Sequence, residues 1–267
     1  MKILVTGATG NIGRMVVDHL LAGGATDVRA LSNHPERAAF PAGVEVAHGY
    51  LRRLSSLPAA FEGVDRMYLA PVLETVNEVV ELAKAAGIRH IVDLSGDAST
   101  DWQPIAKAVE GSGLDWTHLY AGEFTENATI WAGQIKASDE IRDPHPDAAN
   151  APLTMDDIAR VAAKVLLTEG HAGKTYELTG PETLTRAEKI RAIGTALGRD
   201  LTVVQLPRDE AIRLLEPDMG EYAQWYVDGI ASMVEHPQQA TTVIADVTGA
   251  PATTFAQWAR DNVDLFR

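Results

Sequence analysis

Along residues 1–120, segments with the apolar pattern of a β-strand alternate with segments that have the apolar pattern of a helix. Short β-branched runs predict six strands, and the segments between them repeat apolar residues every three or four positions, as amphipathic helices do. The predicted strands are Lys2–Thr6, Asp27–Leu31, Val44–His48, Arg66–Ala70, Ile88–Leu94 and Trp116–Tyr120. The predicted helices are Asn11–Leu21, Leu54–Phe61, Leu73–Ala86 and Trp102–Ser112. This alternation predicts an α/β fold, a doubly wound parallel sheet with helices on both faces.

The sequence changes in character between Trp131 and Ala151, where Pro144–Asp147 reads as a polar loop rich in helix breakers. Beyond it, Thr154–Asp157 and Thr185–Glu188 have capping-box spacing and open predicted helices. Further predicted elements are strands Lys174–Leu178 and Leu201–Gln205 and helices near Arg208–Glu216, Glu221–Glu235 and Thr253–Asn262. We therefore divide the chain into a domain over residues 1–150 and a smaller, interleaved C-terminal α/β lobe over 151–267.

A glycine-rich turn follows the first predicted strand and opens the first predicted helix. Gly7 permits the tight turn, Gly10 permits close approach of the backbone to a ligand, and Gly13 permits close packing of the helix on the sheet. The free N–H groups and the dipole of the helix N-terminus favour a bound phosphate there. The turn predicts a Rossmann-type domain that binds NAD(P), with contacts from Gly7, Thr9, Gly10, Asn11, Ile12 and Gly13.

The spacing GxxGxxG within TGATGNIG resembles that of extended and atypical short-chain dehydrogenases/reductases. Several other segments are similar to the NmrA-like members of that family: Val28–Leu31 (VRAL), His34–Ala38 (HPERA), Gly63–Asp65 (GVD), Ala86–Ile91 (AGIRHI), Ser112–Thr117 (SGLDWT) and Gly170–Leu178 (GHAGKTYEL). The resemblance covers roughly residues 1–205. It implies either an NADPH-dependent quinone or dye reductase, or a redox-sensing regulator that binds the dinucleotide without consuming it.

Other predicted cofactor contacts lie where parallel strands end, because ligands of open α/β sheets gather at the carboxyl edge. Ala70 and Pro71 end the fourth predicted strand, and Leu94 and Ser95 end the fifth. An NAD-preferring site usually carries an acid at the end of the second strand. Here that position reads Ser32, Asn33 and His34. Glu36 lies beyond Pro35, and Arg37 can lend positive charge, so we expect NADP(H) rather than NAD(H).

The catalytic machinery is harder to place, because the chain contains no Tyr-x-x-x-Lys sequence. A typical short-chain reductase uses such a tyrosine as its proton donor. Candidate polar groups at the ends of the fifth and sixth strands are Ser95, Asp97, Tyr120 and Glu123, of which we take Ser95, Tyr120 and Glu123 as catalytic candidates. Lys107 is interpreted as a solvated helix residue.

Three functions remain open at this point. The favoured one is an NAD(P)H-dependent oxidoreductase that transfers hydride to a small conjugated acceptor such as a quinone, since solvent can protonate such a product. The second is a non-catalytic NAD(P)-binding redox sensor, and the third is a lyase or isomerase with a bound cofactor. Tyr222, Trp225 and Tyr226 lie at near-helical spacing and can line a substrate pocket, although core packing is the favoured interpretation.

Composition limits the partners. The net charge is −14, so the phosphate backbone of a nucleic acid would be repelled. The chain has no cysteine, which removes disulfides, thiolate metal ligands and a cysteine nucleophile. We expect no metal site, because His145 is a single loop histidine. The N-terminal residues read as the first strand rather than a signal peptide. We expect a cytoplasmic protein with a small-molecule substrate, no nucleic-acid or membrane partner, and a possible homodimer.

Overall fold

The computed structural model describes residues 1–95 and 102–267 and divides into two compact units. The first unit comprises residues 1–121, 155–178 and 243–250. The second comprises residues 122–154, 179–242 and 251–267. The chain therefore passes from one unit to the other at residues 121, 154, 178, 242 and 250, so neither unit is one continuous stretch.

Eleven strands are present in the described part of the chain. In chain order they are β1 (Ile3–Val5), β2 (Val28–Ser32), β3 (Val44–His48), β4 (Arg66–Leu69), β5 (His90–Asp93), β6 (Asp115–Ala121), β7 (Glu140–Asp143), β8 (Ala149–Asn150), β9 (Lys174–Leu178), β10 (Leu184–Thr185) and β11 (Thr202–Gln205). All six strands predicted for residues 1–120 are confirmed, with ends that differ by up to two residues.

The same described residues form eleven α-helices. They are α1 (Asn11–Ala22), α2 (Leu57–Phe61), α3 (Val76–Ala85), α4 (Gln103–Gly111), α5 (Ala132–Ala137), α6 (Met155–Leu167), α7 (Arg186–Leu197), α8 (Arg208–Met219), α9 (Tyr222–Glu235), α10 (Val243–Thr248) and α11 (Phe255–Asp261). None of the helices that the structure describes is both long and apolar enough to span a bilayer.

The first unit is built on a seven-stranded sheet in the order β3-β2-β1-β4-β5-β6-β9, and every neighbouring pair in it is parallel. Ile3 of β1 lies opposite Val28 on one side and Arg66 on the other. The chain runs outward from β1 to β3 and then returns to β4. The strand order therefore reverses between β1 and β4, which is the switch point where such sheets bind ligands. The predicted Rossmann-type fold is confirmed.

Helices cover both faces of this sheet. On one face Leu4, Met67 and Ile91 pack in a core with buried residues of α2, α3 and α4. On the other face α1 packs against α6, with Val16, Val17 and Leu20 of α1 fully buried. Because both faces are covered, β1, β2, β4 and β5 are buried at every residue.

The second unit is smaller and mixed. Strand β7 pairs in parallel with β11, and β8 pairs antiparallel with β10. Its core is rich in aromatic residues and contains Trp131, Ile135, Ile141, Ile190, Ile193, Phe255, Trp258 and Phe266. The capping box predicted at Thr185 is confirmed, because Thr185 Oγ1 accepts from the Glu188 amide at 3.1 Å and the Glu188 carboxylate accepts from the Thr185 amide at 2.8 Å.

Two sequence-based interpretations need correction. The sequence predicts no element between Trp131 and Ala151, yet α5, β7 and β8 lie there, because each is too short to show a clear period. Core packing was also wrong for two of the three C-terminal aromatic residues. Tyr222 is 67% exposed and Trp225 is 74% exposed, whereas Tyr226 is partly buried.

Candidate functional site

The glycine turn of the first unit has no room for side chains. Gly7 has a φ of +59°, and a Cβ atom there would lie 2.8 Å from Ala70 Cβ. A Cβ atom at Gly13 would lie 2.2 Å from the Gly7 carbonyl oxygen. Helix α1 therefore starts directly against the turn, as a dinucleotide-binding turn requires.

The N-terminus of α1 is open to an anion. Gly10 is its N-cap, no side chain of the described residues caps it, and its first turn holds no carboxylate. Thr9, Gly10 and Asn11 are exposed, and Ile12 is partly buried. Free amides and an uncompensated dipole at this end favour a bound phosphate.

Thr6 joins the two strand ends at the switch point. Its buried hydroxyl donates to the Tyr68 carbonyl at 2.9 Å and accepts from the Ala70 amide at 2.8 Å. Ala70 and Pro71, which the sequence predicts as cofactor contacts, thereby lie beside Gly7. The structure brings these three predicted residues together at one edge of the sheet.

The end of β2 carries the other predicted dinucleotide contacts. Ser32 is buried, and its Oγ accepts from the His34 amide at 3.1 Å, which fixes the turn that follows. Asn33 Nδ2 lies 3.3 Å from His34 Nε2, and the exposed His34 ring lies 3.4 Å from the Glu36 carboxylate. Ser32, Asn33 and His34 carry a hydroxyl, an amide and an imidazole and no carboxylate, so none of these three side chains would repel a 2′-phosphate.

Arg14 is a cation of this region that is absent from the residues predicted from the sequence. From the first turn of α1, Arg14 Nη1 donates to the Ala39 carbonyl, and its guanidinium lies 4.5 Å above the Phe40 ring. The contacts place a positive charge between α1 and the loop after β2. The sequence signal for Arg14 is its position directly after Gly13, because a residue there lies in the first turn of the predicted helix.

At the ends of β5 and β6, Leu94 is partly buried, Ser95 is buried and Tyr120 is partly buried. Asp97 lies outside the described residues. Just below this edge, His118 Nδ1 donates to Asp93 Oδ2 at 2.7 Å, and its Nε2 lies 3.3 Å from the carboxylate of Glu110. His118 also stacks on Trp116 with ring centroids 4.2 Å apart.

The environment of His118 alters its titration. Burial opposes a charge on the imidazole, but the hydrogen bond to Asp93 and the charges of Asp93 and Glu110 outweigh it, and the pKa of His118 is raised above its usual 6.5. No local sequence pattern marks this cluster, because its members come from three separate elements.

The third catalytic candidate, Glu123, belongs to the second unit. Its carboxylate accepts from Lys189 Nζ at 3.0 Å and from the amide of the buried Asn150. Burial raises the pKa of Glu123, but the Lys189 charge and the Asn150 hydrogen bond outweigh it, so this pKa is lowered overall. Glu123 is therefore an ionised partner of Lys189 near neutral pH, a state from which a carboxyl group donates no proton.

A second buried pair lies nearby in the same unit. Arg186 donates from Nε and Nη2 to the Asp143 carboxylate at 2.8–3.0 Å, and Trp131 Nε1 donates to the same carboxylate at 3.0 Å. Arg186 Nη1 also donates to the Tyr226 hydroxyl at 3.2 Å. No signal in the sequence linked these four residues, which are far apart in the chain.

Two other expectations concern groups away from the site. Lys107 Nζ donates to Gln103 Oε1 at 2.8 Å, an exposed contact within α4. Over residues 1–95 and 102–267, no group of three or more histidine and carboxylate side chains is arranged to hold a metal ion.

The fold and the glycine turn define a Rossmann-type dinucleotide-binding protein, and sequence comparison specifies it further. A family model described as "NAD(P)H-binding" matches residues 7–169, and the chain belongs to this family. The resemblance to NmrA-like atypical short-chain dehydrogenases/reductases is confirmed by the relatives, which are reductases.

Three similar proteins illustrate the relationship. The (4-alkanoyl-5-oxo-2,5-dihydrofuran-3-yl)methyl phosphate reductase of Streptomyces griseus is 32% identical, with 99% of each chain covered. The NAD(P)H azoreductase of Xenophilus azovorans is 30% identical, also with 99% of each chain covered. A crystal structure of an NADPH-dependent quinone oxidoreductase of Escherichia coli, complexed with NADPH, has a TM-score of 0.86 at 24% identity and covers 97% of this chain and 99% of that one.

These relatives decide between the functions left open by the sequence. The chain is an NAD(P)H-dependent reductase, and the sensor and lyase interpretations are not supported. The predicted NADP(H) cofactor agrees with the family description, "NAD(P)H-binding", and with the NAD(P)H named for the azoreductase. The relatives are named for small-molecule substrates, in agreement with the small-molecule substrate that the sequence predicts.

Proposed function

We propose that the protein uses NADPH to reduce a conjugated organic acceptor, such as a quinone or an unsaturated carbonyl compound. The observation that carries the proposal is the glycine turn, in which Gly7, Gly10 and Gly13 leave the N-terminus of α1 open beside the strand ends at the switch point. The chemistry named for the relatives, reduction of an azo, a quinone or a dihydrofuranone group, supports this class of acceptor.

We assign the predicted cofactor contacts to three regions of the first unit. Gly7, Thr9, Gly10, Asn11, Ile12 and Gly13 would hold the pyrophosphate, and Ser32, Asn33 and His34 the adenosine ribose. Ala70, Pro71, Leu94 and Ser95 would border the nicotinamide half. The bound dinucleotide would supply a hydride, and the chain would supply its orientation.

The proton is the other half of the reduction. Reducing a quinone by hydride transfer consumes one further proton, which must come from solvent or from a side chain. Ser95 and Tyr120 stay catalytic candidates in the first unit. We assign Glu123 the role of an electrostatic partner rather than a proton donor, because Lys189 holds its carboxyl group ionised.

The test is an acceptor panel. Purified protein is titrated with NADPH and NADH by nicotinamide fluorescence, and menadione, an azo dye and an alkanoyl dihydrofuranone are then added to the tighter complex. Oxidation of NADPH that is saturable in at least one acceptor is the expected result. Binding without oxidation of any acceptor would contradict the proposed acceptor class.

Three finer expectations belong with this proposal. A homodimer, a cytoplasmic location and the absence of a nucleic-acid partner stay predictions. The strongly acidic net charge of −14 supports the last of them. Sedimentation equilibrium of the purified protein measures the oligomeric state directly, and a monomer at all concentrations would contradict the homodimer.

A further inference from the structure

The second unit contains two adjoining cavities of opposite character. The larger has a volume of about 690 Å³ and lies between the segment 127–134 and helices α8 and α9. The smaller, of about 10 Å³, is bordered by the charged side chains of Glu123, Arg186 and Lys189. Asn127, Ile130 and Tyr226 line both cavities, so the two meet at these residues. The volume of the larger cavity falls in the range that small-molecule sites occupy.

The wall of the larger cavity is more apolar than its residue types indicate. Ile130, Leu214, Leu215 and Met219 supply aliphatic surface. Gln134 also lines it, but its amide donates to the Arg142 carbonyl at 3.1 Å and accepts from the Arg142 amide at 2.8 Å. With its polar atoms satisfied by the backbone of β7, Gln134 presents its aliphatic stem.

Thr129 is satisfied in the same way, because its hydroxyl donates to the Glu126 carbonyl at 2.8 Å. Gln134 and Thr129 therefore leave few free polar atoms on this wall, and the remaining polar residues, Asn127 and Tyr226, stand at the junction with the smaller cavity. Away from that junction the wall favours an apolar ligand, because such a ligand leaves no polar group without a partner. The larger cavity therefore suits an aliphatic chain.

Two polar side chains, Asn127 and Tyr226, stand at the junction, and Tyr226 is the more buried of the two. Its hydroxyl accepts from Arg186 Nη1 at 3.2 Å, and within the described residues this is its one hydrogen bond. A phenol that accepts one hydrogen bond still has its own proton to donate. Burial raises the pKa of Tyr226 above its usual 10 despite the Arg186 charge, so the hydroxyl keeps that proton at neutral pH.

The charges of the smaller cavity decide what kind of group Tyr226 would bind. Lys189 is paired with Glu123 at 3.0 Å, and Arg186 is paired with Asp143 at 2.8 Å. Each cation already faces a carboxylate, so the compartment offers no excess positive charge to a phosphate or a carboxylate. A neutral oxygen that accepts one hydrogen bond, such as a ketone or lactone carbonyl, matches the Tyr226 hydroxyl in this compartment.

From this geometry we infer that the second unit binds a neutral carbonyl compound with an aliphatic chain, the carbonyl oxygen accepting from Tyr226 and the chain lying along Ile130, Leu214 and Met219. This inference rests on the proposed reductase function, in which the hydride acceptor would then be a conjugated carbonyl compound with an alkyl chain. Tyr226 would be a substrate-binding residue, and the larger cavity would set the preferred chain length.

Saturated 2-alkanones of increasing length test the pocket without turnover, because they lack the conjugated bond that hydride would reduce. Their binding to the NADP⁺-saturated protein is measured by calorimetry. We expect the dissociation constant to fall about fourfold for each added methylene until the cavity is filled. A dissociation constant independent of chain length would overturn the inference.

Two glycines provide a matched pair of variants for the chain. A Cβ atom at Gly133, in α5, meets no atom within 4 Å, and Gly133 lines the larger cavity. A Cβ atom at Gly229, in α9, also meets no atom within 4 Å, but Gly229 lies outside the cavity lining. Gly133→Leu should remove the dependence on chain length, whereas Gly229→Leu should keep it. Equal behaviour of the two variants would count against the cavity as the binding site.

Tyr226 is tested with a second pair on one helix. Tyr226→Phe removes the donated hydrogen bond and should raise the dissociation constant of every alkanone about tenfold. Tyr222→Phe, at a residue that is 67% exposed, should change nothing. An unchanged constant in Tyr226→Phe would show that this hydroxyl does not bind the carbonyl group.

The charge argument is tested with alkyl phosphates of the same chain lengths, which should bind more weakly than the alkanones. Tighter binding of the phosphates would overturn the assignment of a neutral head group. These measurements need no turnover. Alkanone binding can therefore be absent while the acceptor panel oxidises NADPH, and alkanones can bind while no acceptor is reduced. The two proposals are therefore refuted separately.

Discussion

At the scale of single residues, the Gly7 carbonyl limits what can occupy the turn. A Cβ atom at Gly13 would lie 2.2 Å from this oxygen, whereas one at Gly10 would lie 3.2 Å away. Gly10 also has an extended backbone, with φ −83° and ψ 174°, that other residues adopt. Gly10 can therefore be replaced without breaking the turn, which separates binding from folding.

We expect Gly10→Val to remain folded and to lose dinucleotide affinity, because its methyl groups would cover the open end of α1. The loss should reach at least about 100-fold, which corresponds to roughly 3 kcal/mol. NADPH titration by fluorescence measures it, with Gly229→Val as the control in an open helical position. Retained affinity in a folded Gly10→Val protein would refute the pyrophosphate assignment.

Arg14 is expected to favour NADPH over NADH. Since NADH lacks the 2′-phosphate, Arg14→Gln should weaken NADPH binding about 10- to 100-fold, the value of a charge-assisted hydrogen bond, and leave NADH binding nearly unchanged. Arg89→Gln is the comparison, because Arg89 is 69% exposed beside Asp65 and lies far from the end of β2. If both dinucleotides weakened equally, Arg14 would only hold the loop at Ala39.

At the scale of elements, the contacts between β5, β6 and α4 create a pH-sensitive cluster. The raised pKa of His118 means that the folded state holds its proton more tightly than the unfolded chain does. This contribution to stability is complete below about pH 6.5 and is lost as the pH rises through the folded-state pKa. His90, which lies on β5, acts in the opposite sense, because burial lowers its pKa to about 4.

We therefore expect the free energy of unfolding to fall as the pH rises above about 6.5 in the wild type. His118→Gln should flatten this fall, since glutamine does not titrate. Urea unfolding at several pH values gives the comparison. If the slope were the same in both proteins, His118 would not be the group responsible.

The N-terminus of α7 offers a separate test of local stability. Thr185→Ala removes the hydroxyl of the capping box and should lower the free energy of unfolding by about 1 kcal/mol. Thr195→Ala on the same helix is the control, because the Thr195 hydroxyl donates within the helix to the Arg191 carbonyl. Equal effects in thermal or urea unfolding would mean that the cap contributes nothing special.

At the scale of the whole molecule, the chain path links the two units. Because each unit is assembled from three separate stretches, we expect one cooperative unfolding transition in calorimetry. NADPH at about 100 times its dissociation constant should add about 2.7 kcal/mol to the free energy of unfolding of the entire protein. Two transitions, of which only one shifts with NADPH, would contradict this coupling.

The range of the contacts explains what the sequence could predict. The glycine turn, the alternating strands and helices and the Thr185 capping box depend on residues within one element or its neighbour, so spacing reveals them. The His118 cluster joins β5, β6 and α4, and the Arg186 cluster joins residues from 131 to 226. Such contacts depend on the tertiary fold, and no local pattern marks them.

The position of β9 has a consequence for synthesis on the ribosome. Strand β6 ends at Ala121, but its neighbour at the sheet edge is β9, which ends at Leu178. At roughly 5–20 residues per second, β6 would present its unpaired edge for several seconds before β9 is made. A nascent chain halted in that interval would have an incomplete sheet, and we expect it to be the form most dependent on chaperones.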